Sequence, residues 1–564
     1  MEDTTTGVLT FAVDSNAPLA GARLVLGIEG GRQPMTVPVT TGATHASWTL
    51  NPRLDRGLAV RLPRGMSTLR YNWLVQSSGG ETLSLADEIS SPSLEAEPVS
   101  VDMQWLEERS GKLTFYYLAD TPAARDIEAL KSATIEGIAH AARALDVEPD
   151  QRLTVYWLPR VFWQGGAAFG DRTIFISYAD RAFTGVPVTD YLTHEGAHAL
   201  TQDWGNLGAA GGLLAEGVAV YATGGHYRPD VIDESVAAIA QSPLFIPPSV
   251  LRRDFSAQQH EIAYTESASF VKFLIDGYGL KAFRALMQRP NDWRVIYGKD
   301  FDALAQDWLS AIRARPGSAE TRQRWELKVR FYDLMRQYEE RLDPGARRLP
   351  SVPVARWDAA QRQALSAPAE AELNQVLELV ISAAVEAIDH GQNALAARDL
   401  DELEQSIREQ AVSDRPLTRD TLAIVRLLHA QDDAILQRDW DALLETLDQA
   451  SYPQFAAQTV QQARAQPAWL RFRQSPVSLV ISGDRAWLTA AQWAEPLDLS
   501  KAASPNGVRS VLALRRDAAT GQWRVMGRWP DAQGLLMSGA ALRQAQDAAL
   551  RQAQGAARLN RPAP

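Results

Sequence analysis

The segment YLTHEGAHALTQDW, residues 191–204, contains His194, Glu195 and His198 in the spacing His-Glu-x-x-His. On a helix, residues four positions apart lie on the same face, so these two imidazoles can bind one metal ion. Glu195 would then lie beside the metal, where its carboxylate can accept a proton from a bound water. The alternative is a helix whose exposed polar face carries two histidines. The spacing favours a zinc-binding helix.

A third protein ligand is expected downstream, because a catalytic zinc site has three protein ligands and an open position for water. The glycines of GNLGAAGG are followed by the apolar helical segment LLAEGVAVYAT, whose only acid is Glu216. A carboxylate in so apolar a helix is costly without a partner. The alternative is a first-turn glutamate favoured by the helix dipole. We predict that His194, His198 and Glu216 are the metal ligands.

The motif followed by LAEGVAVY resembles the gluzincin metallopeptidases, and more narrowly the peptidase MA-like domain proteins of bacteria. The resemblance covers residues 106–315 and includes YTESASFVKFLIDGYGLKAFRALM (264–287). It implies that Zn²⁺ is held by the two histidines and Glu216, and that Glu195 is the general base. Thermolysin-type gluzincins have an acid four residues after the ligand glutamate, but this chain has Val220, so the groups that orient the histidines stay unassigned.

The resemblance also indicates Tyr264 as the donor that stabilises the oxyanion beside the metal, because similar proteins often have a tyrosine before this helix. A packing role for Tyr264 is the alternative, and His260 and His226 are the other candidate donors. The remaining four histidines have no partners by spacing and are interpreted as surface or core residues: His45, His140, His390 and His429.

Composition restricts the class of protein. With 46% apolar and 22% charged residues, the chain is typical of globular proteins, and its net charge of −11 argues against a nucleic-acid partner. Cysteine is absent, so histidine and carboxylate are the available zinc ligands. No apolar run of membrane-spanning length and no signal peptide are visible. The family resemblance nevertheless favours an extracellular or cell-envelope location, and the oligomeric state stays open.

The pattern of elements predicts a multidomain α+β protein. Short strand-like runs such as GVLTFAV and LRYNWLVQ predict an N-terminal immunoglobulin-like β-sandwich. A strand, a helix beginning after Thr121 with Pro122, and two further strands precede the motif helix; this order fits the resemblance to a thermolysin-like gluzincin α/β domain. By the same resemblance, the strand near residues 173–178 is expected at the sheet edge, where it would pair with an extended substrate.

The C-terminal part resembles an NTF2-like module, in which helices pack on a curved antiparallel sheet. A charged helix and a linker rich in proline and alanine precede it, and two similar segments at 397–407 and 437–447 are too few to indicate a solenoid. Four tryptophans are interpreted as core residues: Trp487, Trp493, Trp523 and Trp529. The predicted division is as follows: β-sandwich 1–105, gluzincin domain 106–315, helix and linker 316–370, helical segment 371–417, NTF2-like domain 418–532 and tail 533–564.

These features lead to one main hypothesis and two alternatives. The main one is a zinc metallopeptidase acting on peptide or protein substrates. One alternative is a catalytically idle gluzincin-fold binding or scaffold protein of the cell surface. Its intact Glu195 argues against it, because this residue is not needed to bind metal. The other is zinc-dependent hydrolysis of a non-peptide amide.

Overall fold

The computed structural model describes most of the chain, and its side chains are considered only within the described parts. The described residues are 9–28, 31–37, 39, 43–50, 68–90, 105–118, 121–148, 152–158, 165–169, 172–178, 186–205, 211–226, 228, 230–342, 372–466, 470–496 and 508–530. The linker after residue 342 and the predicted tail lie outside them. Among the described residues, no helix is long and apolar enough to cross a lipid bilayer.

The described N-terminal residues form strands in two antiparallel sheets. The strands are β1 (Leu9–Asp14), β2 (Leu19–Ile28), β3 (Gly31–Val37), β4 (His45–Leu50), β5 (Thr68–Ser77) and β6 (Thr82–Ser90). One sheet has the order β3-β2-β5-β6, and β1 pairs with β4. Trp73 and Val75 are buried, as the alternation in LRYNWLVQ predicts. The immunoglobulin-like assignment itself stays a prediction.

A mixed five-stranded sheet forms the central part. Its strands are β7 (Trp105–Ser110), β8 (Leu113–Leu118), β9 (Leu153–Leu158), β10 (Gly166–Phe169) and β11 (Thr173–Ser177), in the order β10-β11-β9-β8-β7. The three inner strands are parallel, while β7 and β10 pair antiparallel at the two edges. The expectation that 173–178 is the edge strand is therefore wrong: β11 is internal, because the short strand β10 covers it.

Nine α-helices are described between residues 122 and 313, the first of them between β8 and β9 in the chain. They are α1 (Pro122–Ala144), α2 (Val188–Thr201), α3 (Gly212–Thr223), α4 (Ile232–Ile239), α5 (Pro248–Asp254), α6 (His260–Tyr278), α7 (Leu280–Gln288), α8 (Trp293–Tyr297) and α9 (Phe301–Arg313). The predicted start of α1 is confirmed, with Thr121 as N-cap and Pro122 at the first helical position. The Thr121 hydroxyl, however, donates to the Leu118 carbonyl instead of capping the helix.

Helix α2, which carries the motif, crosses α1 at very close range. A Cβ on Gly137 of α1 would lie 2.8 Å from the Leu192 Cβ and 3.1 Å from the Thr189 carbonyl oxygen. A Cβ on Gly196 of α2 would lie 2.5 Å from the Ile138 Cδ1. Because neither glycine has a side chain, the two backbones approach closely and seal one face of the motif helix.

The C-terminal part contains six helices and a four-stranded antiparallel sheet within the described residues. They are α10 (Ala319–Arg341), α11 (Glu372–Asp389), α12 (Asn393–Glu409), α13 (Pro416–Gln437), α14 (Trp440–Glu445), α15 (Pro453–Ala465), β12 (Leu470–Ser482), β13 (Arg485–Pro496), β14 (Val508–Arg516) and β15 (Trp523–Pro530). The sheet has the order β12-β13-β14-β15. Helices followed by hairpins agree with the predicted elements, while the NTF2-like assignment stays a prediction.

Helix α10 contributes to two hydrophobic cores. Its Trp325 is buried in the core of the central sheet and helices. Phe331 and Tyr338, farther along the same helix, are buried in the core formed by α11, α12, α13 and the C-terminal sheet. Trp523 is buried in this second core as predicted, Trp487 and Trp529 are half-buried, and the Trp493 side chain lies outside the described residues. The predicted domain boundaries stay predictions.

We expect Gly137→Ala to destabilise the protein, because the added methyl group would contact the Leu192 side chain and the α2 backbone. Overpacking of this kind costs about 1 to 3 kcal/mol, which outweighs a helix-propensity gain of about 1 kcal/mol. Gly277→Ala on α6 is the matched control. This glycine is also helical, but nothing lies within 4 Å of the Cβ that the substitution adds. Thermal unfolding should show a lower midpoint for Gly137→Ala and an equal or higher one for Gly277→Ala; equal midpoints would contradict the close contact.

Candidate active site

The motif helix α2 buries its chemically active side chains. His194 is 2% exposed and Glu195 is 3% exposed, and the His198 side chain is 11% exposed. The helix packs between α1 on one side and α3, β10 and β11 on the other. The alternative of two histidines on an exposed polar face is therefore wrong.

Glu216 on α3 meets both imidazoles of the motif. Its Oε2 lies 3.1 Å from the Nε2 of His198 and 3.4 Å from the Nε2 of His194. The neighbouring residues Ala215 and Val218 are buried in the apolar core, and the Glu216 side chain is 24% exposed. The three side chains that were predicted as ligands thus converge from two helices on one point.

This donor set fits a zinc ion. One ligand atom from each of His194, His198 and Glu216 can be chosen so that all three lie within 4.8 Å of one another. Ligands at about 2.0 to 2.2 Å from a tetrahedral zinc lie roughly 3.3 Å apart, close to the two separations from Glu216. Two imidazoles and one carboxylate leave a fourth position for water, as in hydrolytic zinc sites.

Opposite charges stabilise the ligand cluster. Burial lowers the pKa of His194 to about 4, so its imidazole is neutral. Burial would also lower the pKa of His198, but the Glu216 and Glu195 carboxylates outweigh it and raise this pKa to about 9. Burial acts to raise the pKa of Glu216, yet His198 and His194 hold it well below its usual value. A metal cation would take the place of the His198 proton, so binding would release a proton.

Glu195 lies beside the ligands and under the edge strand. Burial raises the pKa of Glu195 to about 8, so its carboxyl group can hold and release a proton near neutral pH. A Cβ on Gly166 of β10 would lie 2.8 Å from the Glu195 Cγ and 3.0 Å from its Oε1. The glycine therefore lets the edge strand lie directly against the side chain that was predicted as the base.

Tyr264 of α6 lies at the same point. Its ring lies near the His194 ring, with centroids 6.2 Å apart and the two ring planes 28° from parallel. Burial raises the pKa of Tyr264 well above its usual value, and Glu216 and Glu195 act in the same direction. The hydroxyl therefore keeps its proton and is able to donate a hydrogen bond. Tyr264 thus lies beside the predicted ligands, and its role as the oxyanion donor stays a prediction.

A second group of titratable side chains stands behind Tyr264. The Nδ1 of His226 lies 2.7 Å from the Oε2 of Glu261, and the Nδ1 of His260 lies 3.0 Å from the Oε1 of the same carboxylate. His226 and His260 were candidates from the sequence, but Glu261 was missed. The signal was present in HEIAY, because on a helix Glu261 and His260 precede Tyr264 by three and four residues and share its face.

The other histidines lie away from this site. His45, His140 and His390 are exposed, and His429 is half-buried. His45 contacts Asp14 at 2.8 Å, and His390 contacts the Glu386 carbonyl at 2.8 Å. Their interpretation as surface or core residues is thus confirmed. Val220 is fully buried in the apolar core, where it supplies no acceptor for a histidine ligand.

Comparison with known proteins gives one informative match. The chain's matches to solved structures are weak, as two of them illustrate. A mutant of an M1 zinc metallopeptidase from Deinococcus radiodurans is 16% identical over 64% of this chain and 88% of that chain, with a TM-score of 0.21. IMPa from Pseudomonas aeruginosa in complex with an O-glycopeptide is 12% identical over 56% of this chain and 52% of that chain, with a TM-score of 0.13.

TM-scores this low do not indicate a shared fold. No curated protein matches the chain. The family model that matches is that of the peptidase MA superfamily, over residues 150–314. This range contains the motif helix, Glu216 and Tyr264. The central part of the chain is therefore similar to the peptidase MA superfamily.

Proposed function

We propose that the chain is a zinc-dependent metallopeptidase that hydrolyses peptide bonds at the cluster of His194, His198 and Glu216. The observation that carries the proposal is the convergence of these three ligands from α2 and α3, with Glu195 buried beside them. The match of residues 150–314 to the peptidase MA superfamily supports the same reaction class.

Glu195 is the general base in this proposal. When bound, zinc lowers the pKa of a coordinated water towards about 7 and polarises the substrate carbonyl. Glu195 accepts the proton of the attacking water and then delivers it to the leaving nitrogen. The carboxyl group that forms when Glu195 takes this proton is the acid of the return step.

Tyr264 donates a hydrogen bond to the developing oxyanion. Its ring lies 6.2 Å from that of His194, so a substrate carbonyl beside the same metal position is expected within reach of the hydroxyl. The high pKa of Tyr264 keeps the donor proton in place. Donors held in position before the reaction stabilise the transition state without reorganisation.

The substrate backbone is expected to pair with β10. This short strand is one of the two edges of the central sheet among the described residues, and its Gly166 lies against Glu195. An extended peptide added to this edge would place a carbonyl group near the base. The role that the sequence assigned to the strand at 173–178 therefore moves to Gly166–Phe169.

A catalytically idle scaffold protein is the competing proposal, and an amidase acting on a non-peptide amide is another. Burying Glu195 in an ionisable form beside a metal site costs stability and adds nothing to metal binding. An enzyme that needs a general base can tolerate this loss of stability, whereas a scaffold protein gains nothing from it. A peptide library together with simple amide substrates separates the three possibilities.

We expect Glu195→Gln to abolish most hydrolysis while zinc binding is retained. Glutamine keeps the shape of the side chain but cannot accept a proton, so the rate should fall by about 10²- to 10⁴-fold. Zinc content by metal analysis and hydrolysis of a peptide library are the measurements, with the exposed Glu136→Gln as control. Full activity in Glu195→Gln would refute the assigned base, and a zinc-loaded wild-type protein that hydrolyses nothing would favour the scaffold.

Glu216→Ala should lose both zinc and activity. The substitution leaves two neutral imidazoles to hold a dication, so affinity should collapse, and excess zinc should restore part of the rate. Dialysis against a chelator followed by metal analysis measures the loss, with exposed Glu234→Ala on α4 as the matched control. Full zinc retention in Glu216→Ala would show that the ligand set is wrong.

Tyr264→Phe should lower turnover about 10²- to 10³-fold, the usual effect of removing one oxyanion donor. After equilibration with excess zinc, the variant should still bind one zinc per chain. Steady-state kinetics give the loss, and Tyr278→Phe, near the end of the same helix and 37% exposed, is the control. A rate equal to wild type would assign Tyr264 a packing role and direct attention to His226 or His260.

A further inference from the structure

His226, Glu261 and His260 form a buried hydrogen-bonded group, which we name the His–Glu–His triad. The two oxygens of the Glu261 carboxylate each contact the Nδ1 of a different imidazole, at 2.7 Å for His226 and 3.0 Å for His260. Glu261 and His226 are each 1% exposed, whereas the His260 side chain is 40% exposed. One buried carboxylate therefore connects an interior imidazole to one at the protein surface.

The distances indicate hydrogen bonds, although the same three residues have the donor types of a metal site. Ring N–H donors lie about 2.7 to 3.2 Å from their acceptor oxygens. Zinc ligands lie roughly 3.3 Å apart, close to the 3.1 and 3.4 Å from Glu216 to His198 and His194. The 2.7 Å contact of His226 with Glu261 is shorter than this separation. It therefore favours a hydrogen-bonded support beside the predicted metal site.

The triad encloses Tyr264. The Tyr264 ring centroid lies 4.3 Å from that of His226 and 4.2 Å from that of His260, and Phe255 packs at 5.1 Å. Both imidazoles are fixed by Glu261 and in turn restrict the tyrosine ring. The Tyr264 ring also lies beside that of His194, a predicted metal ligand, with centroids 6.2 Å apart. A series of contacts thus runs from Glu261 through the two imidazoles and Tyr264 to His194.

A purely space-filling role does not explain this arrangement. A buried carboxylate is costly compared with an apolar side chain of similar volume, even when it accepts two strong hydrogen bonds. What the carboxylate adds is direction: it determines which nitrogen of each ring carries the proton and holds both ring planes. Only a residue whose orientation matters, such as Tyr264, benefits from fixed neighbours.

We propose that Glu261 is a positioning residue that, through His226 and His260, holds Tyr264 beside His194 and the metal position. This inference rests on the proposed function. It assigns to the triad no contact with substrate and no metal of its own. Glu261 acts through Tyr264, so its contribution should disappear when the hydroxyl is absent.

A double-mutant cycle tests this dependence. Glu261→Gln, Tyr264→Phe and the double variant are compared with wild type for zinc affinity, by competition with a chromophoric chelator, and for kcat and KM. Loss of a group that orients a ligand typically costs about 10- to 100-fold in affinity or activity. We expect Glu261→Gln to lower zinc affinity and kcat about 10-fold with KM unchanged, and to have less than about a twofold effect in the Tyr264→Phe background.

The control is Glu378→Gln, which changes another buried glutamate that accepts a hydrogen bond from a tyrosine, here Tyr338 at 2.6 Å in the C-terminal core. It should leave zinc affinity and kcat unchanged. If Glu261→Gln does not fold, His260→Gln at the half-exposed end of the triad replaces it in the cycle. Glu261→Asp, which keeps the charge but is one methylene shorter, should recover part of the zinc affinity.

The outcomes separate this inference from the proposed function. Equal losses in the wild-type and Tyr264→Phe backgrounds would overturn it, because Glu261 would then act independently of the hydroxyl. A second zinc per chain that disappears in His260→Gln would overturn it in favour of a second metal site. A wild-type protein without zinc would remove the proposed function and this inference together, whereas zinc with additive losses removes only this inference.

Discussion

The contact of Glu216 with His194 and His198 is the interaction on which the site depends. It joins α2 to α3, two helices that otherwise present apolar residues to each other and to the core. Three ionisable groups in such surroundings are tolerated because each partly neutralises the others: Glu216 is held as an anion and His198 as a cation. Since the two helices must bring these groups together, the helix packing behind them is constrained as well.

The second constraint is the close packing of other elements against the motif helix. Glycines permit this packing on both sides of the helix. Gly137 and Gly196 let α1 and α2 cross closely, because each glycine leaves room for a side chain of the other helix, Leu192 and Ile138 respectively. Gly166 places β10 against Glu195 in the same way. Helix α2 is thus held between a helix and a strand that both contact it directly. This rigidity suits a general base, which must lie within hydrogen-bonding distance of the proton that it takes.

The C-terminal part of the protein is attached to this site by more than a linker. Helix α10 places Trp325 in the central core and Phe331 in the C-terminal core, so one rigid helix belongs to both. Arg228, two residues after His226 of the triad, forms an ion pair with Asp389 at the end of α11. A change in the packing of α11 would therefore reach the segment that carries His226, which gives the C-terminal helices a physical connection to the environment of Tyr264.

The sequence by itself determined which side chains were predicted as ligands and base, because helical spacing places His194 and His198 on one face and an acid in an apolar helix needs a partner. It also determined most helices and strands of the central part, whose hydrophobic periodicity is strong. The tertiary structure decided what spacing does not encode. The four-residue strand β10 is too short and too rich in glycine and alanine to show an alternating hydrophobic pattern. The predicted position of the sheet edge was therefore wrong. Glu261 was missed because its role depends on His226, which lies 35 residues away in the chain and meets it only when α6 packs beside α3. Local periodicity arises from the geometry of a single element, whereas hydrogen bonds between distant residues and contacts between backbones exist only after the elements have packed.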